Sequence, residues 1–366
     1  MHTIATGGGT ICGVDSGGLL YAGPEGAGAR PGPACYGLGG VRATTTDAQL
    51  ALGRLRAGSY ANGTLTLDRG LAEAAISRDV ADPLGLSDKE SANAIIRLVE
   101  QNIRHSVEKV SLERGLDPAR FILVGAGGAG ALHVAEVARR LGMKEAFVPR
   151  LAGVFCALGM CNADVRHDLL QSMGTLLKTE ANAKMRAGFE DLEREATSML
   201  IADGFDPDLM RFEKKVDLRY AGQQWPITLS TNSLDVDYLR QRFDEQHEKL
   251  YGSSQPGANI EIVNLRISAT GLLPSLRISD QATPQRALAP IANRRPAVAG
   301  DGSGHVIDMP VLDGRELRAG HFFHGPAIIE EVTTTILIGP GDEVLVDNHG
   351  NYRIFIDNTR AGVSHV

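Results

Sequence analysis

The sequence predicts a mixed α/β and α+β protein: an α/β region first, then a ferredoxin-like unit, then a small β-rich terminal module. Three observations carry that expectation. Phe121-Ile122-Leu123-Val124, the run Gly125-Ala126-Gly127-Gly128-Ala129-Gly130, a helical stretch from Ala131 to Leu141 and Ala146-Phe147-Val148 read as strand, glycine turn, helix and strand. Between 166 and 272, alternating and helical apolar patterns follow in the order β-α-β-β-α-β. Beyond 303, Asp313-Gly314, Gly339-Pro340-Gly341-Asp342 and Asn348-His349-Gly350 separate short apolar runs as hairpin turns do.

Taken in order, the first 40 residues hold 13 glycines, too many for an opening helix or strand, and read as loops. Cys12, Leu19, Tyr21, Cys35 and Tyr36 embedded among them suggest burial rather than a tail. Ser87-Asp88-Lys89-Glu90 is a capping box, and Ala92, Ile95, Ile96, Val99, Ile103, Val107 and Val110 continue it as a helix that Gly115 stops. The continuous apolar run 121–124 is of the kind found in a buried strand.

In the second region a strand over Leu169–Leu177 precedes a helix carrying Met185, Phe189, Leu192 and Met199. Val216, Leu218 and Tyr220 pair with Trp225, Ile227 and Leu229. A helix with Leu239, Phe243, His247 and Leu250 leads to Val263, Leu265, Ile267 and Ala269. Pro274, Pro284, Pro290 and Pro296, with Arg286, Arg294 and Arg295 among them, read as a linker. The expected domains are therefore 1–165, 166–272 and 304–366, with 273–303 joining the last two.

Composition excludes several function classes. In 366 residues, 37 Lys and Arg against 44 Asp and Glu leave a net charge of −7, with no basic field for nucleic acid. No apolar run approaches the roughly 20 residues that cross a bilayer. The opening residues lack the charged and apolar regions of a secretory signal, which makes the cytoplasm the default compartment. Cys12, Cys35, Cys156 and Cys161 include no C-x-x-C and read as small buried side chains rather than disulfides or zinc ligands. No metal-ligand set is expected.

The run from Gly125 to Gly130 matches G-x-G-x-x-G between a strand and a helix, where bare backbone lets a nucleotide approach. A dinucleotide site would need an acidic residue at the end of the following strand, and Pro149-Arg150 stands there instead. A turn required only for packing helix on sheet is the alternative. No P-loop, H-E-x-x-H or G-x-S-x-G is present.

Other stretches are specific only jointly. They are His2-Thr3-Ile4 running into Gly7-Gly8-Gly9, Val14-Asp15-Ser16-Gly17-Gly18-Leu19, Gly23-Pro24-Glu25, Pro31-Gly32-Pro33-Ala34-Cys35-Tyr36-Gly37 and Thr46-Asp47-Ala48. Glu113-Arg114-Gly115, Gly127-Gly128-Ala129-Gly130, Gly153-Val154-Phe155 with Ala157-Leu158-Gly159, Asp164-Val165-Arg166-His167-Asp168 and Gly325-Pro326-Ala327-Ile328-Ile329-Glu330 complete the set. In this order they resemble the C-terminal half of the hydantoinase A/5-oxoprolinase family, which includes ketone carboxylase subunits.

The resemblance implies a partial actin-like, sugar-kinase-like ATPase domain that uses ATP with Mg²⁺. Gly127, Gly128 and Gly130 would form its adenosine-side turn. Gly7 and Gly8 would lie near the nucleotide or substrate, and Asp15 and Asp47 would be the candidate catalytic acids. Asp15 could equally close a turn, and Asp47 could equally cap a helix. The implied chemistry is ATP-dependent opening of a cyclic amide through carbonyl phosphorylation; the alternatives are ketone carboxylation, a non-catalytic scaffold or a truncated paralogue. The family's two phosphate-gripping Asp-x-Gly-Gly-Thr hairpins do not occur here. An N-terminal ATPase half and a B-type subunit are therefore expected partners in a hetero-oligomer.

Overall fold

The glycine-rich opening contains a hairpin within what reads as loops. β1 (Thr10–Val14) and β2 (Leu20–Gly26) pair antiparallel. The turn between them is closed by Asp15, whose Oδ1 accepts from Gly17 N at 2.8 Å and Leu19 N at 2.9 Å. Leu19, expected inside, sits on this turn and is 69% exposed. Cys12 and Cys35 are buried as expected, but Cys156 and Cys161 are exposed. Burial pushes the Cys12 thiol up to about 12, so it fills space as a neutral group.

The computed structural model describes residues 3–60, 63–274, 285–300 and 303–360. It forms two compact units, one of residues 1–158 with 278–366 and one of residues 159–277. In the first, β1 and β2 are followed by α1 (Thr45–Ala51), a hairpin of β3 (Gly58–Tyr60) and β4 (Leu65–Leu67), α2 (Arg69–Ile76), α3 (Asp82–Leu84) and α4 (Asp88–Leu112). The capping box of α4 is as its sequence predicts, with Ser87 N donating to Glu90 Oε2 at 3.0 Å and Glu90 N donating to Ser87 Oγ at 3.3 Å. Its stripe Ala92, Ile95, Ile96 and Val99 buries against Cys12, Ala48, Ile76 and Val80.

β5 (Leu123–Val124), α5 (Gly127–Gly130), α6 (Val134–Arg140) and β6 (Glu145–Val148) then give the predicted strand, turn, helix and strand, with β5 parallel to β6. Two details differ. The glycines take a helical turn of their own, so the main helix starts at Val134 instead of Ala131. The expected buried strand is two residues long, and Phe121, Ile122 and Val124 are half exposed because β5 ends its sheet. α7 (Phe155–Cys161) follows.

The second unit consists of β7 (Val165–Leu176), α8 (Ala181–Ala202), β8 (Met210–Tyr220), β9 (Ile227–Ser230), α9 (Val236–Tyr251) and β10 (Ile260–Gly271). The predicted element order is present, and the sheet order is β7-β10-β8-β9 with all neighbours antiparallel. Each βαβ pair is split by a strand of the other, as in a ferredoxin-like unit. The permutation differs, since the second and fourth strands take the centre and the first and third the edges.

Ile260 and Ile262 are buried, then Leu265, Ile267 and Ala269. This change of phase occurs at a register shift between Ile262 and Asn264, where one extra residue returns the apolar side chains to the core. Trp225, expected in a strand, is 74% exposed ahead of β9. Phe243, fully buried, packs edge-on to Tyr220 with ring centroids 4.8 Å apart. Phe243→Ala is expected to cost this unit about 3–5 kcal/mol, read as a lower urea midpoint.

The chain returns to the first unit through β11 (Ala287–Leu288), β12 (Asn293–Val298), β13 (Val306–Asp313), β14 (His321–His324), β15 (Ala327–Glu330), β16 (Thr335–Ile338), β17 (Glu343–Val346) and β18 (Tyr352–Phe355). These strands do not make a separate module. β18 pairs with β6, giving one sheet of order β11-β14-β17-β18-β6-β5, and Val344, Tyr352 and Ile354 share a core with Ala138 and Val148. A second sheet has the order β12-β13-β15-β16.

Part of the expected linker is β12 itself. Pro296 is accommodated there because β12 is an edge strand, and Arg295 ties it inward by donating to Gly53 O and Arg54 O, each at 2.8 Å. His2, Pro284 and the rest of 275–284, and residues 301–302, lie outside the described residues.

Candidate functional site

A cavity of about 540 Å³ opens in the first unit where the Gly8 loop, the start of α1, the β3–β4 hairpin, the α5 turn and residues 332–335 converge. Leu55, Leu65, Leu67 and Leu132 give it apolar walls, and Thr45, Gln49 and His133 supply polar groups. That balance suits a flat ring with hydrogen-bonding edges.

The local sequence builds each wall. Thr44 caps α1, its Oγ1 accepting from Asp47 N at 3.4 Å while Thr44 N donates to Asp47 Oδ2 at 2.9 Å. The next residue but one, Thr46, donates through both N and Oγ1 to Gly8 O at 2.8 Å, which pins the Gly8 loop over the helix start. A Cβ on Gly8 would come within 2.8 Å of that hydroxyl and 3.5 Å of Ala129 Cβ, so the loop lies directly against the glycine turn.

The glycines of the turn differ in what they do. A Cβ on Gly125 would press Val134 at 3.0 Å, so this glycine serves helix-on-strand packing. Gly127 has φ +83, which favours glycine, and Thr334 Oγ1 sits 3.2 Å from Gly127 O and 3.0 Å from Gly128 O, within donating distance of both. A Cβ on Gly128 would meet nothing closer than 3.7 Å, and one on Gly130 nothing within 4 Å. The protein's own packing does not require Gly128 or Gly130 to be bare.

Of the residues singled out from sequence, Gly8 and Gly128 line this cavity together. Gly7 is exposed at the loop's start, its N donating to Thr10 Oγ1 at 2.7 Å. Asp15 stands on the β1–β2 turn, so the turn-closing alternative describes its contacts. Asp47 is fully buried, and its oxygens accept from Cys35 N at 2.8 Å, Ala34 N at 3.3 Å, Thr44 N at 2.9 Å and Thr44 Oγ1 at 2.7 Å. A carboxylate has about four acceptor positions, and four donors meet this one, three on Oδ2 and one on Oδ1. The geometry makes Asp47 a cap and a loop anchor, not an acid free for chemistry.

Sequence reasoning missed the polar back wall. Gln49 Nε2 and His133 Nε2 lie 3.4 Å apart, and His133 Nδ1 is 3.6 Å from Glu100 Oε1, with all three residues buried. Arg140 donates to the other Glu100 oxygen at 3.2 Å. The available signal was position: Gln49 follows Asp47 by two residues, and His133 follows the last glycine by three. A second, more polar cavity of about 530 Å³ shares Tyr60, Glu331, Val332 and Thr335 with the first. At its wall Glu331 accepts from Tyr352 Oη, and burial, followed by this carboxylate, raises the Tyr352 phenol.

Arg150, where a dinucleotide site would need an acid, has Nη1 donating to Leu317 O at 3.0 Å and also bonds Gly314 O. That commitment leaves it no role at a ribose or its phosphate. Among the described residues no group of three or more His, Cys, Asp or Glu could hold a metal. No described helix is long and apolar enough to cross a membrane.

Comparison with known proteins settles the family. Residues 1–169 match the hydantoinase/oxoprolinase model and residues 174–356 its C-terminal domain model. The chain belongs to the hydantoinase/oxoprolinase family. Within this family it is 37% identical over 363 residues to the caprolactamase subunit alpha of Pseudomonas jessenii, covering 97% of this chain and 52% of that one. It is 30% identical to the acetophenone carboxylase gamma subunit of Aromatoleum aromaticum, covering 96% and 50%.

The crystal structure of the ATP-dependent caprolactamase from Pseudomonas jessenii superposes with a TM-score of 0.75 at 35% identity, covering 95% of this chain and 52% of that one. Nucleotide-free acetone carboxylase gives 0.84 at 24% identity, covering 95% and 51%, which establishes a shared fold. This hydantoinase/oxoprolinase chain thus has the α/β ATPase-like fold its sequence predicts, and it spans about half the length of the curated relatives it matches.

Proposed function

We propose that this chain is a component of an ATP-dependent hydrolase of cyclic amides, with its cavity taking the adenosine side of ATP. The observation that carries the reading is the meeting of the Gly8 loop with the α5 turn around an apolar cavity, where Gly128 leaves backbone bare without any packing need. The purine would lie between Leu65, Leu67 and Leu132, with Gln49 and His133 at its edge. Relatedness to a caprolactamase subunit favours a lactam over a ketone as the second substrate.

ATP supplies an activated phosphoryl group, and phosphorylating the amide oxygen turns a poor electrophile into one that water can attack. The products would be the ring-opened amino acid, ADP and phosphate. Among the described residues neither cavity offers a P-loop or a cluster of free cations for the triphosphate. The phosphates, with Mg²⁺, would be held by the polypeptide corresponding to the half of its relatives that this chain does not span. A second, B-type subunit would complete the hydrolase.

The test is reconstitution with that missing half and a B-type subunit, followed by measurement of ADP release with caprolactam, 5-oxoproline, a hydantoin, and acetone plus bicarbonate. Lactam-stimulated release is expected. Release stimulated only by the ketone would transfer the assignment to carboxylation, and an assembled complex without ATP binding would defeat the proposal.

A further inference from the structure

The six-stranded sheet of the first unit has two unlike edges. At one end β11 is short, flanked by Arg286 and Pro290, in keeping with the charge and proline that blunt natural sheet edges. At the other end β5 is equally short, with Pro118 and Arg120 ahead of its apolar run and neither charge nor proline directly after it. Phe121, Ile122, Leu123 and Val124 carry no charge, proline or bulge, and among the described residues no strand pairs with the outer side of β5.

Exposure here is 48% for Phe121, 52% for Ile122 and 51% for Val124. An edge strand covered on one face would expose every second residue. That is the pattern here: Ile122 and Val124 are exposed while Leu123 packs on the core that holds Ala138 and Val148, so one face and the outer edge of β5 lack cover. A continuous apolar run is the signature of an interior strand in an α/β sheet, and β5 is joined to its parallel partner β6 through α6 as such strands are.

We infer that the outer edge of β5 is a docking surface that receives a β-strand from the half of the relatives that this chain does not span. This rests on the reading that the chain works with that half. Its relatives are about twice as long, while nearly all of this chain matches them. The added strand would pair backbone groups along 121–124 and bury the three half-exposed side chains by strand addition. It would also stand beside the strand that leads directly into Gly127, bringing the added polypeptide to the rim of the proposed nucleotide cavity. A second copy of this chain is the weaker occupant, since pairing two such short strands buries far less than the roughly 1,200 Å² of a stable interface.

The test mixes the full chain with the unspanned half of the Pseudomonas jessenii caprolactamase subunit alpha, expressed as a separate polypeptide. Mass is followed by light scattering and amide exchange is followed at Ile122 and Val124, whose N–H groups alternate with the inward-bonded Gly125 N and so face the open edge. A one-to-one complex with exchange slowed at least tenfold at these amides is expected. Ile122→Lys and Val124→Lys should each weaken association at least tenfold while leaving the melting of the isolated chain unchanged, because both side chains are already half in water.

Absence of a complex, a complex with unaltered exchange, variants that associate as tightly, or a homodimer formed through this edge would each overturn the inference. ATP cleavage by the same mixture is read separately. A protected edge without cleavage defeats the enzymatic reading alone, and cleavage with an unprotected edge defeats this one alone.

Discussion

Replacing Asp47 by alanine is expected to destabilise the first unit by about 3–5 kcal/mol, because several buried donors lose one shared charged acceptor. The carboxylate holds Ala34 N, Cys35 N and both donors of Thr44 in a fully buried position. Alanine strands these donors, and each unpaired buried group costs about 1–3 kcal/mol. The loss would show as a lower urea midpoint for the first unit. Asp47→Asn keeps the shape but turns one acceptor into a donor, so an intermediate loss is expected. Any reconstituted activity should fall in step with the folded fraction. A stable Asp47→Ala protein with abolished turnover would return Asp47 to the chemistry.

Gly128→Val is expected to leave melting unchanged and to weaken ATP binding in the reconstituted complex at least tenfold, about 1.4 kcal/mol. The Cβ of the added side chain would meet no protein atom closer than 3.7 Å, and the side chain would start from a residue that lines the cavity. Gly125→Ala makes the converse control. Its methyl group would press the stiff, buried Val134 and is expected to cost about 1–3 kcal/mol of stability while leaving nucleotide affinity alone. If both substitutions acted only on melting, the turn would be a packing device and the nucleotide would have to lie elsewhere.

Local chemistry was readable where a few adjacent residues decide it. The capping box at Ser87, the strand and glycine turn before α6, and the β-α-β-β-α-β order all follow from spacing, because caps, turns and amphipathic faces depend on neighbours within one or two turns of chain. Val263 was placed in phase with Leu265, but a bulge separates the two phases of β10, and a bulge is visible only against its partner strand. The cavity was half legible. Gly8 and Gly128 carried a family pattern, whereas Gln49, His133 and Glu100 come from three segments whose convergence no spacing encodes.

By itself the sequence determined the helix at Ser87, the strand, glycine turn and helix before β6, the element order of the second unit and the family resemblance, since these rest on local backbone preference and on residue identity. Only the tertiary structure decided that the C-terminal strands extend the sheet of β6, that Asp47 is buried among three backbone N–H groups and the Thr44 hydroxyl, and that the apolar run at 121–124 lies on an open edge. Those outcomes depend on hydrogen-bond partners and covering surfaces far away in the chain. The same Phe-Ile-Leu-Val run would satisfy an interior strand or an exposed one, and the neighbour that distinguishes them is not written within it.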